Sequence, residues 1–265
     1  MNNFFELKNK TIFLTGATGY IGKKVLQSLH NEGCKLILLL KDKRSAIKIK
    51  QFLKKKNIYI YFADLNNENE LELVLFNIKN KFKKIDGIIN MASSTSGLGS
   101  AKFKNKFKNF SNAINSNFLA PLKIILMLKN CLQKNKSKNN TASVINLSSI
   151  YGTLSPDQNI YKNEKYVNPI DYGCSKSSQT QMSRYLANDK SFSKVRFNNI
   201  IIGPVPNQNK NFQKQIFKKK LIDKIPIGRF GRPEDLIGII FLLLSSKSSY
   251  ITGSSVFVDG GWSSN

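Results

Sequence analysis

Short apolar runs alternate with amphipathic stretches from one end of the chain to the other. The runs at 11–15 (TIFLT), 35–40, 58–62, 85–91, 142–149, 196–202 and 255–259 read as strands. None shows strict polar alternation, which predicts strands covered on both faces. Helical patterns fall between them, near 20–32, 43–56, 68–82, 103–134, 170–188 and 232–246. Repeated βα units predict one α/β domain over 1–265, with a mostly parallel, doubly wound, seven-stranded sheet and helices on both faces. Ligands of such sheets bind beyond the carboxyl ends of the strands. Two stretches, 153–169 and 204–228, interrupt the rhythm just after strand ends and are read as loops covering a substrate.

Composition narrows the setting. The longest apolar runs, at 36–40 and 239–244, fall far short of the roughly 18 residues that span a bilayer, so no membrane partner is expected. The first ten residues, MNNFFELKNK, lack the apolar segment of a secretory signal, and Cys34, Cys131 and Cys174 are odd in number and scattered. Both features point to a cytoplasmic protein with free thiols. A lone His30 excludes a histidine metal cluster, and no metal is expected.

The formal charge of +26 invites a nucleic-acid reading, but only five of the 42 basic residues are arginine, the residue that reads bases. Abundant Lys, Asn and Ile together suggest codon drift on the surface, so no specific nucleic-acid partner is expected. In KFKNKFKNF (102–110), Phe103, Phe107 and Phe110 follow helical i, i+4, i+7 spacing. That stripe predicts a core or subunit interface in preference to a base-stacking platform.

The first strand runs straight into TGATGYIG (15–22) and then a helix. Glycines at 16, 19 and 22 allow a tight turn, close approach of backbone N–H groups to a pyrophosphate, and close helix packing, the dinucleotide-binding pattern of a Rossmann domain. Gly16, Thr18, Gly19, Tyr20, Ile21 and Gly22 are therefore candidate cofactor contacts. At the end of the second strand, Leu40 stands where an acid would hold a free ribose 2′-OH, followed by Lys41, Asp42, Lys43 and Arg44. Lys41 favours NADP, while Asp42 keeps NAD open. Asp64 and Leu65, after the third strand, are candidates for the adenine, and Asn90 and Ala92 end the fourth.

YGCSK (172–176) places a phenol and an ammonium one helical turn apart. Spacing alone decides nothing, because Tyr20/Lys24 and Tyr161/Lys165 share it and chance predicts about one such match. Context separates them. Tyr20/Lys24 belong to the glycine loop and its helix, and Tyr161/Lys165 sit in a polar loop. Only Tyr172/Lys176 lie on a well-started helix, after Pro169 and Asp171.

The ordered set of glycine loop, ADL (63–65), NMAS (90–93), NFLAP (117–121), SSIYG (148–152), YGCSK and a C-terminal GRFGRPEDL…VDGGW resembles the short-chain dehydrogenase/reductase family, in its short single-domain branch, over essentially the whole chain. The resemblance implies a catalytic set of Asn117, Ser149, Tyr172 and Lys176, with Tyr172 and Lys176 also at the cofactor. Ser149 is preferred over Ser148 by the family's Ser-x-x-Gly pattern, met by Gly152. Lys176 is expected to lower the phenol's pKa so that Tyr172 exchanges a proton, and Asn117 to support a water-mediated path to the lysine.

The chain departs from the family in four places: the glycine spacing, NMAS for Asn-Asn-Ala-Gly, GPV (203–205) for the usual Pro-Gly, and 23 positions between Ser149 and Tyr172. The third concerns Pro204 and Val205, the expected nicotinamide contacts. The fourth gives a longer loop than is common, similar to members linked to bacterial surface-sugar and nonulosonate biosynthesis. The expectation is an NADP- or NAD-dependent oxidoreductase acting on the carbonyl or alcohol of a small polar, sugar-derived molecule, as a homodimer or homotetramer. A non-catalytic dinucleotide sensor or scaffold is the second reading.

Overall fold

The structure, a computed structural model, describes residues 4–52, 55–94, 107–134, 141–161, 168–207 and 215–264, with side chains for all of these but 107–109 and 215. Seven strands, β1 (Thr11–Thr15), β2 (Lys35–Leu40), β3 (Ile58–Phe62), β4 (Gly87–Asn90), β5 (Ala142–Ser149), β6 (Val195–Ile202) and β7 (Ser255–Val258), form one sheet in the order β3-β2-β1-β4-β5-β6-β7. Every pairing is parallel. The missing polar alternation has a direct cause. In β2, Leu36, Leu38 and Leu40 enter one core while Ile37 and Leu39 enter the other; Ile12 and Leu14 part from Phe13 in the same way in β1. Side-chain period two therefore feeds two apolar layers.

The helices covering the sheet are α1 (Tyr20–Asn31), α2 (Lys43–Ile47), α3 (Glu68–Lys81), α4 (Phe107–Ile114), α5 (Ala120–Met127), α6 (Lys129–Leu132), α7 (Ile170–Asn188), α8 (Gln215–Ile222) and α9 (Ile237–Leu244). Residues of α1 and α9 pack in one layer, and residues of α3, α5 and α7 in the other.

Three expectations need correction. The helix at 43–56 stops at Ile47 and resumes as a 3₁₀ turn at Lys50–Phe52, because Ile49 and Phe52, three apart, are both buried and such a turn puts them on one face. The stretch 204–228 is not all loop: it carries α8, whose Phe217 and Leu221 are buried. The helix at 103–134 is broken. Between α4 and α5, Asn115–Leu119 is π-helical. Pro121 explains the distortion, since it brings no N–H to the carbonyl four residues earlier, that of Asn117, and its ring crowds that carbonyl. Phe103 and the side chain of Phe107 lie outside the described residues, as do 162–167, 208–214 and Lys165.

Candidate active site

The carboxyl ends of β1 and β4 meet beneath the glycine loop. Thr15 Oγ1 accepts the amides of Met91 and Ala92, each at 3.2 Å, which locks the two strand ends together. Gly16 follows at φ +73°, and a Cβ there would lie 2.5 Å from the Ala92 nitrogen, so only glycine fits. Gly22 is buried against the turn, while Gly19 and Tyr20 are exposed and Thr18 and Ile21 half-buried. Gly19 caps α1 with no side-chain hydrogen bond, and the first turn of α1 holds no acid. That helix N-terminus suits an anion, so a dinucleotide pyrophosphate fits the residues present.

At the far end of this groove, Lys41 Nζ pairs with Asp64 Oδ2 at 3.0 Å. Asp42 is engaged elsewhere: its carboxylate accepts from Ser45 N and Oγ as the N-cap of α2, which holds its pKa below the usual carboxylate value. Asn90 donates to Asn146 at 2.8 Å, and its buried Oδ1 has no partner among the described residues. Leu65 packs at the edge of the core on the α3 side.

Three of the four proposed catalytic side chains converge where β5 runs into a short turn, Ile150–Gly152, that packs on α7. A Cβ at Gly152 would meet the Lys176 backbone at 2.8 Å, and one at Gly173 the Tyr151 carbonyl oxygen at 2.8 Å. These two glycines let turn and helix touch backbone to backbone, which brings the Tyr172 phenol into hydrogen-bonding reach of Ser149. Ser148 faces the other way and donates to the Lys176 carbonyl at 2.8 Å, so the choice of Ser149 rests on geometry as well as pattern. The Lys176 side chain is buried. Its Nζ donates to Leu147 O at 2.6 Å and to Gln179 Oε1 at 3.2 Å, and lies 5.8 Å from the centre of the Tyr172 ring. Asn117, fully buried in the π-helical segment, bonds the backbone of Ser94 through Nδ2 and Oδ1 and donates to Ser175 Oγ.

The electrostatics correct one expectation. Lys176 does not bring the phenol down here: burial raises the Tyr172 pKa above its ordinary value, and the Ser149 hydrogen bond pulls against that rise. The same burial pushes Lys176 itself down to about 7. In so enclosed a site desolvation outweighs the attraction across one helical turn.

Two residues that the sequence reading passed over join the site. Tyr161, set aside as a mate for Lys165, shares a 2.8 Å hydrogen bond between phenol oxygens with Tyr151. Its ring lies 5.6 Å from that of Phe217 on α8, and Asp157 forms an ion pair with Lys224 just beyond α8. The 153–161 stretch is thereby clamped to the helix that follows β6. Gln179 is the other; its only signal is a polar residue at i+3 from Lys176, on the face of α7 that faces inward. Pro204 and Val205 line a separate cavity of about 350 Å³ at the ends of β6 and β7, which Ser149, Tyr172 and Lys176 do not line.

Comparison with known proteins agrees with this fold. A family model described as enoyl-(acyl carrier protein) reductase matches residues 16–263. The chain is 25% identical to the post-translational flagellin modification protein A of Campylobacter coli, over 97% of this chain and 99% of that one. It is 27% identical to a 3-oxoacyl-[acyl-carrier-protein] reductase of Rickettsia felis, over 97% and 98%. Among solved structures, a short chain dehydrogenase of Leptospira borgpetersenii with bound NAD+ superposes with a TM-score of 0.79 at 27% identity, covering 99% of this chain and 96% of that one.

Proposed function

The chain belongs to the short-chain dehydrogenase/reductase family, and on that premise we propose that it is a nicotinamide-dependent reductase of a small polar carbonyl compound, working with NADPH. The observation that carries the reading is the convergence of Ser149 and the Tyr172 phenol on a buried Lys176, whose Nζ lies 5.8 Å from the centre of the phenol ring.

A nicotinamide dinucleotide, when bound, supplies or accepts hydride at carbon. The residues that would hold it are the glycine loop with the N-terminus of α1, Asp64 and Leu65 at the adenine end, and Asn90 and Ala92 beneath. Lys41 would meet a 2′-phosphate, and Asp42, committed to capping α2, leaves the ribose without an acid. The protein's own part is proton chemistry. Ser149 donates to the carbonyl oxygen of the substrate, and Tyr172, held protonated by its raised pKa, gives its proton to that oxygen as negative charge develops. Lys176 uses two of its three N–H donors on Leu147 and Gln179, which leaves one to serve the phenol.

A polar substrate is supported by the Tyr151/Tyr161 phenol pair next to Ser149. The likeness to a flagellin modification protein supports a sugar-derived one. The intact catalytic set argues against a non-catalytic sensor. Assembly through α5 and α7 is supported by the outward face of α7, where Ile170, Cys174, Ser177, Gln181 and Tyr185 are exposed and uncharged and Arg184 is the one exposed charge, on a chain of net charge +26. The deciding experiment is NADPH oxidation by the purified protein over a panel of polar ketones, aldoses and 3-ketoacyl thioesters. Turnover of a polar ketone or aldose supports the reading; turnover confined to acyl thioesters, or none with NADPH left unbound, overturns it.

A further inference from the structure

Pro121 leaves the Asn117 carbonyl without its helical donor, and a side chain from another helix fills the gap. Gln179 Nε2 donates to Asn117 O at 2.5 Å, while its Oε1 accepts from Lys176 Nζ at 3.2 Å. Gln179 is fully buried. The orientation of its amide is fixed by chemistry, because the reversed amide would set two acceptors face to face at one end. A single amide therefore spans from the lysine to the π-helical carbonyl.

We propose that Gln179 is a positioning residue of the proton relay, tying Lys176 to Asn117 O and occupying the interval between them with a group that does not carry protons. The lysine is then held against Tyr172 by a fixed side chain, and the direct path from its nitrogen to that carbonyl is closed to water. This rests on the reductase reading above. The titratable neighbours are few. Among the described residues, α7 itself brings Tyr172 and, in its first turn, the buried Asp171, the 150–152 turn brings Tyr151, β5 brings Leu147, Ser148 and Ser149, and the π-helical segment brings Ser116 and Asn117. On β6, Arg196 is bound to Thr141 and to the end of α9, and the side chain of Lys108 on α4 lies outside the described residues. Loss of the Gln179 acceptor thus acts on Lys176 with little competition.

The test is Gln179→Met, which keeps the shape without the polar groups, beside Gln179→Glu, which keeps an acceptor and adds charge. The Lys176 side chain is titrated by NMR in the cofactor-free protein. The methionine variant is expected to titrate about one pH unit lower than wild type and the glutamate variant higher. The alkaline limb of kcat/KM for carbonyl reduction is expected to follow in the same directions. Lys176 titrating alike in all three folded proteins overturns the proposal, since a residue that merely satisfies a carbonyl moves neither curve. If only the methionine variant fails to fold, the glutamate variant decides alone. Opposite titration shifts without turnover on any substrate would sustain the bridge and defeat the reductase reading instead.

Discussion

The hydroxyl of Ser148 donates to the Lys176 carbonyl across 2.8 Å, while its neighbour Ser149 turns toward the Tyr172 phenol and accepts from Tyr151 N. One serine is thus a strut between β5 and α7, and the other is the proposed hydrogen-bond donor to the substrate. Ser149→Ala is expected to lower kcat by ~10²–10³-fold with NADPH affinity held. Ser148→Ala is expected to cost roughly 1 kcal/mol of stability and leave kcat within about twofold. Steady-state kinetics and urea midpoints on both variants check the split, and a large kcat loss confined to Ser148→Ala reverses the assignment.

On the proposed mechanism Tyr172→Phe removes the proton that passes to the substrate oxygen and leaves only the Ser149 hydrogen bond there. A fall in kcat of ~10²–10⁴-fold is expected, with NADPH binding by fluorescence nearly unchanged. In the wild type, reduction is expected to decline as pH rises through about 7, where Lys176 loses its proton. Turnover by Tyr172→Phe near the wild-type rate would remove the phenol from the mechanism.

The strands were legible because parallel, doubly covered strands are continuous apolar runs: β1, β2, β3 and β5 end where the pattern ends. α7 was equally clear from its start after Pro169. Helices were legible only where one local pattern governs them. The π-helical break needs the effect of Pro121 on Asn117, and α8 is held by packing of Phe217 and Leu221 against Ile150 and Trp262, which are distant in sequence. The candidate residues Ser149, Tyr172 and Lys176 were named from motif order, and the structure brings them together where β5 meets α7. The direction of the Tyr172 shift was not legible in that order, because desolvation depends on what three separate segments enclose.

The buried lysine also couples stability to pH. Its folded pKa of about 7 lies below the ordinary value of 10.5, so between those values the unfolded chain binds a proton that the native site lacks. Unfolding takes up that proton, and raising the pH through this window therefore favours the native state. The stability of wild type relative to Lys176→Met is expected to increase between pH 7 and about 10 and to stay level below 7. Lys10, lowered by burial in the same sense, is present in both proteins and cancels. Urea titrations at several pH values measure the difference, and a flat difference would mean that the site is wetter than its burial indicates.

Lys41 and Asp64 sit 3.0 Å apart, so a 2′-phosphate must compete with a carboxylate for the ammonium. The pair is solvent-exposed and easily exchanged. Lys41→Ala is expected to raise the Kd for NADPH roughly tenfold and to leave NADH within about twofold. Leu40→Asp, which restores an acid at the end of β2, is expected to improve NADH binding. Fluorescence titration of the four combinations reads both effects, and equal losses for the two cofactors in Lys41→Ala would place the 2′ position elsewhere.

Arg196 is a buried cation with hydrogen bonds in place of a carboxylate. Its guanidinium donates to Thr141 Oγ1, Ser248 Oγ, Leu243 O and Ser245 O, at 2.9–3.1 Å. Leu243 and Ser245 stand at the C-terminal end of α9, where unpaired carbonyls and the helix dipole favour positive charge, and Lys10 Nζ reaches Leu244 O from the other side at 3.0 Å. Burial lowers the Arg196 pKa only to about 10, so it stays charged at neutral pH. Arg196→Met removes four hydrogen bonds at once, two to the Leu243 and Ser245 carbonyls and two to hydroxyls, and is expected to cost roughly 3 kcal/mol. Arg196→Lys keeps the charge but not the planar fork, and should recover less than half of that loss. Because α9 lies against the sheet and no atom of Arg196 reaches Ser149, Tyr172 or Lys176, kcat per folded molecule is expected to stay within about twofold in both variants. A variant that keeps its urea midpoint but loses turnover would show that the end of α9 is coupled to the catalytic groups, and that Arg196 does more than hold a helix in place.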